Sequence, residues 1–300
     1  MQIKEMKEMV SLVLEEESIY TEELLDLRND FVFKSFFSSR ASNHLLLEFL
    51  NAVLEETIIA VEVVNTNLQK MHVNDKASSL DLRVKTNNGE QINIEMQVQG
   101  HRALPERMLM YWAKMYSVQD KVNDSYSQLK KATQILITDF NLLPKKHFHS
   151  KFQLIDREDG SIFTKHIEIH VLELSKLPDL SILETDPLEK WLLFMKSDKK
   201  TKEELAMESS VFKEALEEIE RLSQDPETRA IAISREIHLR DQIQREEDAR
   251  EDGMEKGKRA EREAIILGML SKGFSAEEIS TTISVPLEEI KDILNANHVQ

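Results

Sequence analysis

Two carboxylates and a carboxamide stand at regular spacing in residues 79–100, SLDLRVKTNNGEQINIEMQVQG. The segment reads as two strands around a turn. Side chains on a strand alternate faces, so Leu80, Leu82 and Val84 oppose Asp81, Arg83 and Lys85. In the second strand Ile92, Ile94, Met96 and Val98 oppose Asn93, Glu95, Gln97 and Gln99. The register follows from matching faces. A two-residue loop at Asn88-Gly89 sets Asp81 against Met96, polar against apolar. A three-residue loop, Asn87-Asn88-Gly89, makes every face agree, and it needs a left-handed residue that Gly89 supplies. Asp81 then lies opposite Glu95. Like charges across a strand pair repel. A divalent cation reverses that sign, and carboxylate oxygens suit a hard ion such as Mg²⁺, with Mn²⁺ as the alternative. Gln97 projects toward the same place. A second reading leaves this face to solvent, with Arg83 and Lys85 neutralising the acids.

The flanking elements must hold that hairpin. Residues 1–28 read as an acidic helical extension. NDFVFKSFFSS carries Phe31, Phe33, Phe36 and Phe37 on a short helix with Asp30 at the N-cap position. SNHLLLEFLNAVLEE (42–56) is a second amphipathic helix and TIIAVEVVNTN (57–67) the first strand. After the hairpin come a long helix (102–122), a buried strand ATQILITDF (132–140) and a hairpin over 151–174 turning at Asp159-Gly160. This order predicts an α/β domain with a mixed sheet. From Asp186 onward the periodicity is helical. Gly253 and Gly257 weaken the charged helix near its middle. Ser275 with Glu278 forms a capping box, and Ser284 and Pro286 open a last helix. Those two short helices resemble a helix-turn-helix. The second leads with Glu288 and Glu289, which suits packing or self-association better than DNA readout. The expected divisions are 1–28, 29–180, 181–245 and 246–300, the last a charged helix and its tail.

Composition narrows the function classes. The chain has 300 residues, 41% hydrophobic and 31% charged, which describes a soluble folded protein. It has no cysteine, so disulfide and thiol chemistry are excluded and a cytoplasmic location is expected. The N-terminal stretch lacks signal-peptide features, and no apolar run is long enough for a membrane span. The pairs His147/His149 and His166/His170 lack a supporting ligand set for zinc. Net charge is −16, but residues 31–180 sum to zero and the acidity lies at the two ends.

The stretches LRNDFVFKSFF, LEFLNAVL, SLDLRVKTNNGEQINIEMQVQ and LPERMLMYWAKMYSVQ, spread over residues 27–175, resemble the Rpn family of recombination-promoting nucleases. That family lies within the PD-(D/E)XK nuclease superfamily. The resemblance implies a restriction-endonuclease-like core, a mixed central sheet flanked by helices, followed here by an all-helical C-terminal region. It implies Asp81 as the first motif acid and Glu95 as the second. Gln97 falls where the superfamily has lysine, as in the E-x-Q form familiar among Rpn proteins. It also implies Mg²⁺-assisted hydrolysis of DNA phosphodiesters, in recombination, mobile-element movement or defence. Asp30 is then a candidate third metal carboxylate, and Lys34, one turn on, a candidate for phosphate. Arg107 and Tyr111 share a helix face, Arg107 offering a bidentate fork; Lys76 is a further basic candidate. The alternative is a nuclease-fold DNA-binding or assembly protein with weak or no catalysis. A homo-oligomer through the helical C-terminal region is expected in either case.

Overall fold

The computed structural model describes residues 23–39, 41–54, 56–64, 81–100, 102–119, 125–178 and 186–296, with the backbone of 67–68 and 78–79. Of the expected N-terminal helical extension only 23–28 is described. It is irregular, and it turns inward to bury Leu25 and Leu27. Two compact units divide the chain, 1–236 and 237–300.

The first unit is built on a six-stranded mixed sheet. Its strands are β1 (Val61–Val64), β4 (Leu82–Thr86), β5 (Gln91–Gln97), β6 (Ala132–Thr138), β7 (His149–Ile155) and β8 (Ile162–Glu173), in the spatial order β1-β4-β5-β6-β8-β7. A two-stranded ribbon, β2 (Asn67–Leu68) with β3 (Ser78–Ser79), stands apart from it. β5, β6 and β8 run parallel to one another, and the other pairs are antiparallel.

The register argued from the side-chain faces is the observed one. Leu82 pairs with Ile94, Val84 with Ile92 and Lys85 with Gln91. Gly89 adopts φ +83° and donates its N–H to the Thr86 carbonyl at 2.9 Å, which closes the three-residue loop. The second expected turn is also present, with Gly160 at φ +77°.

One face of the sheet carries the main core. Helices α1 (Asp30–Ser38) and α2 (Asn43–Leu54) place Phe33, Phe36, Phe37 and Phe49 against Ile92, Ile94 and Met96. The ring edges of Phe33 and Phe36 meet Phe37 at centroid distances of 5.1 and 4.8 Å. Helices α4 (Pro187–Lys196), α5 (Lys199–Glu208) and α6 (Ser210–Gln224) follow the sheet in sequence and complete the same core. The Trp191 ring lies 5.9 Å from Phe49 and 4.9 Å from Phe212, centroid to centroid. Each such ring removed from water contributes about 2–3 kcal/mol.

The opposite face is covered by α3 (Leu104–Ser117), which packs on β5 and β6. Leu104 and Met108 seat on Leu136, and the Trp112 Nε1–H donates to the Ala132 carbonyl at 2.9 Å. α3 therefore puts a lid on the polar side of the hairpin. Asn93 is fully buried and Glu95 is 2% exposed.

In the second unit, the end of α7 (Pro226–Ser271) packs with α8 (Ala276–Ile283) and α9 (Leu287–Ala296) around Ile266, Ile279, Val285 and Ile290. α7 runs unbroken through Gly253 and Gly257. The Ser275–Glu278 capping box forms as expected. Ser284 takes the left-handed conformation that ends α8.

Candidate active site

The polar face of β4 and β5 becomes a site because α3 excludes water from it while the two strands hold their acids together. The Asp81 N–H donates to Glu95 Oε1 at 3.3 Å, and the Met96 N–H donates to Asp81 Oδ2 at 3.0 Å. Each carboxylate is thus held by the backbone of the other strand. Asn93, two residues before Glu95 on the same face, donates its Nδ2–H to the same Oε1 at 2.9 Å. The second oxygens, Asp81 Oδ1 and Glu95 Oε2, lie outside these bonds.

Burial sets the electrostatics. It pushes Glu95 up to about 8, and the neighbouring Asp81 charge adds to the shift. Asp81 is raised to about 6 by burial, against the lowering effect of the Met96 N–H, with the charge of Asp30 raising it further. Arg107 lowers both acids, and Lys34 lowers Asp81. Tyr111 is raised by burial and then by the Glu95 charge. The site therefore strains to hold two negative charges and is relieved by positive charge. That is the electrostatic demand a divalent cation meets, and two carboxylates with waters are a donor set Mg²⁺ accepts. The residues fit such an ion.

The solvated-face alternative fails on the same geometry. The Arg83 guanidinium is held by Gln91 Oε1 (3.2 Å from Nε), and Lys85 is exposed. Arg107 and Lys34 offset the cost of placing two acids here only in part, so both stay raised and further positive charge at the pair would be stabilising.

The other candidates are distributed as follows. Gln97 closes β5, half-buried, on the sheet face that Glu95 occupies; its carbonyl accepts the Asp139 N–H at 3.1 Å. Arg107 on α3 lies over the Tyr111 ring at 5.9 Å from its centroid. Its Nε is buried without a hydrogen-bond partner among the described residues. Asp30 is not the N-cap of α1. Asn29 takes that role, its side chain accepting from the Phe31 and Val32 N–H groups, because its extended backbone lies one residue earlier. Asp30 instead accepts the Phe31 N–H at 2.8 Å and faces Arg235 at 3.7 Å. Among the described residues no group of three or more His, Asp or Glu side chains could hold an ion, so Asp30 is not drawn into one ligand cluster with Asp81 and Glu95. Lys76 lies outside the described residues.

Sequence reasoning had no reason to single out Asn93. The signal was available only in retrospect, as a polar residue on the Glu95 face, because its importance depends on α3 burying it. Nor did sequence reasoning anticipate the Arg28 guanidinium, which bridges Asp26 and Asp139 across 111 residues of chain and ties the entry of α1 to the end of β6.

Searches of curated proteins and of solved structures return no match. The profile of one family, described as PD-(D/E)XK nuclease family transposase, matches residues 27–249, which include the whole sheet, the acid pair and α3. With that match spanning most of its length, the chain belongs to the PD-(D/E)XK nuclease family of transposases.

Proposed function

We propose that this chain is a divalent-metal-dependent DNA endonuclease of the recombination-promoting Rpn group, cutting phosphodiester bonds in recombination, mobile-element movement or defence. The observation that carries the reading is the opposed Asp81–Glu95 pair, Glu95 buried and Asp81 half-buried, each acid fixed by the other strand's backbone.

Asp81 and Glu95 are the residues that would hold Mg²⁺, or Mn²⁺. When bound, the ion neutralises charge at the phosphate and lowers the pKa of a nearby water. The protein supplies position and dielectric. Asn93 holds Glu95 Oε1 by its Nδ2–H at 2.9 Å and so fixes the carboxylate's position. Arg107, backed by Tyr111, offers its fork to a non-bridging phosphate oxygen. Lys34, one turn beyond Asp30 on α1, adds positive charge on the Asp81 side. Gln97 orients the attacking water by hydrogen bonds but cannot take its proton, since a carboxamide has no basic site at neutral pH. Asp30 acts from one layer further out. DNA is the partner and the cytoplasm the location; no helix among the described residues is long and apolar enough to cross a membrane.

Gln97 also favours a second reading, a nuclease-fold protein that binds or assembles on DNA with weak catalysis. One experiment separates the two. Purified protein is incubated with supercoiled plasmid and Mg²⁺ or Mn²⁺, beside Asp81→Ala and Glu95→Ala. Nicking or linearisation by wild type alone is expected. Equal behaviour of all three proteins removes the nuclease assignment, and retention of DNA without cutting supports the second reading.

A further inference from the structure

The β7–β8 hairpin extends beyond the sheet it belongs to. β6 first pairs with β8 at Ile167, so among the described residues 154–165 have no neighbouring strand on that side. β7 is the sheet's last strand, so they have none on the other. The result is a two-stranded arm that leaves from the N-terminal end of β8. The candidate active site lies toward the opposite, C-terminal end of the parallel strands.

This arm is unusually apolar for something so exposed. Phe163 is 81% exposed, Leu154 and Ile155 50% each, and Ile162 45%. A lone two-stranded ribbon is marginal in water, and a cluster of large apolar side chains on one marks a contact surface. The arm's backbone edge is not the attachment point. Pairing slips between Gln153–Glu168 and Leu154–Thr164, which leaves Lys165, His166 and Ile167 as extra residues on β8. Such an irregularity bends the ribbon and interrupts its ladder, a feature that discourages strand addition. Docking must therefore run through side chains.

The charges name the occupant. Over residues 151–165 Lys151, Arg157 and Lys165 balance Asp156, Glu158 and Asp159. An arm of no net charge is a poor ligand for polyanionic DNA. The balance is also segregated. Asp156, Glu158 and Asp159 outnumber Arg157 in the turn, whereas Lys165 sits at the root, with Lys145 nearby over the Phe152 ring at 5.1 Å and Lys151 held by Glu168 of its own chain at 3.3 Å. Two such arms laid antiparallel about a two-fold axis bring each acidic turn onto the other's lysine root, with Leu154 and Phe163 between them. That arrangement is self-complementary, as an isologous contact requires.

We propose that the β7–β8 arm is a homodimerisation element that packs against the arm of a second copy of this chain. The contact does not depend on the nuclease reading and leaves the Asp81–Glu95 site uncovered.

Sedimentation velocity on the full chain tests it at about 100 μM, where any dimer with a micromolar Kd is formed. Wild type is expected at twice the chain mass. Leu154→Ser with Phe163→Ser, both exposed, is expected at the monomer mass with an unchanged circular dichroism spectrum. Lys165→Glu weakens the dimer by about tenfold or more through like charge across the contact. Adding Asp159→Lys to it restores affinity, a recovery that a merely damaged arm does not show. A monomeric wild type overturns the proposal. A dimer of unchanged mass in the arm variants overturns it too. So does an arm variant that keeps the dimer mass but loses retention of plasmid DNA, which makes nucleic acid the arm's partner.

Discussion

Replacing Glu95 by Gln should make the metal-free protein more stable at pH 8 while removing its response to metal. The carboxyl is buried beside Asp81 and is raised from an ordinary 4.5 to about 8. In the unfolded chain it ionises near 4.5, so between those values the folded state binds more protons than the unfolded one. Stability then falls as pH rises through that window. Each pH unit is worth about 1.4 kcal/mol, so the loss by pH 8 is on the order of a few kcal/mol. Against a typical total of about 5–15 kcal/mol this is a large fraction. The carboxamide of the Glu95→Gln variant keeps the acceptor oxygen that the Asp81 N–H and Asn93 reach, but it carries no charge to bury. Asp81, raised by burial to about 6, adds a loss of the same sign that is complete by about pH 6 and is present in both proteins, so the difference between them is read from pH 6 to 8; the remaining groups act elsewhere. Burial works to raise Glu168, but its His170 bond and the Lys131 charge outweigh that and hold it below the usual carboxylate range, so its stabilisation is lost only in acid. Lys202, lowered by burial to about 8, acts in the opposite direction above pH 8. The assay is urea unfolding in EDTA at intervals from pH 5 to 8, repeated with saturating Mn²⁺. Wild type should lose stability with rising pH and regain about 2–3 kcal/mol at a hundredfold excess of ion over Kd. Glu95→Gln should lose less with pH and regain little. If wild-type stability is flat or rising over this range, and both proteins gain equally from Mn²⁺, the account of a strained acid pair is wrong.

Further substitutions probe the rest. Arg107→Lys keeps the charge but loses the fork, so plasmid cutting should slow at unchanged thermal stability, measured by initial rates and a melting curve. Gln97→Lys restores the ammonium common in the superfamily; it should raise the cutting rate, read as initial rates at fixed Mg²⁺. Gly89→Ala meets only ordinary contacts, Lys130 Cγ at 3.6 Å, so the cost is its left-handed φ alone, about 1–2 kcal/mol by urea titration. Trp191→Ala opens the core shared by the sheet and the later helices, and should cost about 3–5 kcal/mol in one cooperative transition.

Much of the site was legible because its logic is local. Period-two alternation and a glycine-bearing three-residue loop set Asp81 beside Glu95, and neither depends on distant chain. The element order of the sheet followed in the same way from short-range periodicity. The cap of α1 was misplaced by one residue, since Asn29 and Asp30 are equally good caps and only the backbone path of residues 23–29 chooses between them. The helices after Asp186 read as a separate region, yet Trp191, Phe194 and Phe212 close the same core as Phe37 and Phe49. Amphipathic spacing shows that a helix buries one face; it does not show against what.

By itself, then, the sequence determined the hairpin, its register and the opposition of two acids, because those rest on neighbouring residues and turn geometry. Tertiary structure alone decided that Glu95 is buried and Asp81 half-buried, since the cover comes from α3, whose first residue lies nine positions beyond Glu95 and whose packing against β6 no local pattern specifies. It also decided which residues stand by them. Asn93 became a support for Glu95, Arg83 was drawn off to Gln91, and Arg107 was brought over Tyr111. The Glu168–His170–His149 chain beneath β7 and β8 is of the same kind, assembled by strand pairing across 21 residues. A carboxylate pair is written in the strand; its free energy is written in what the fold lays on top of it.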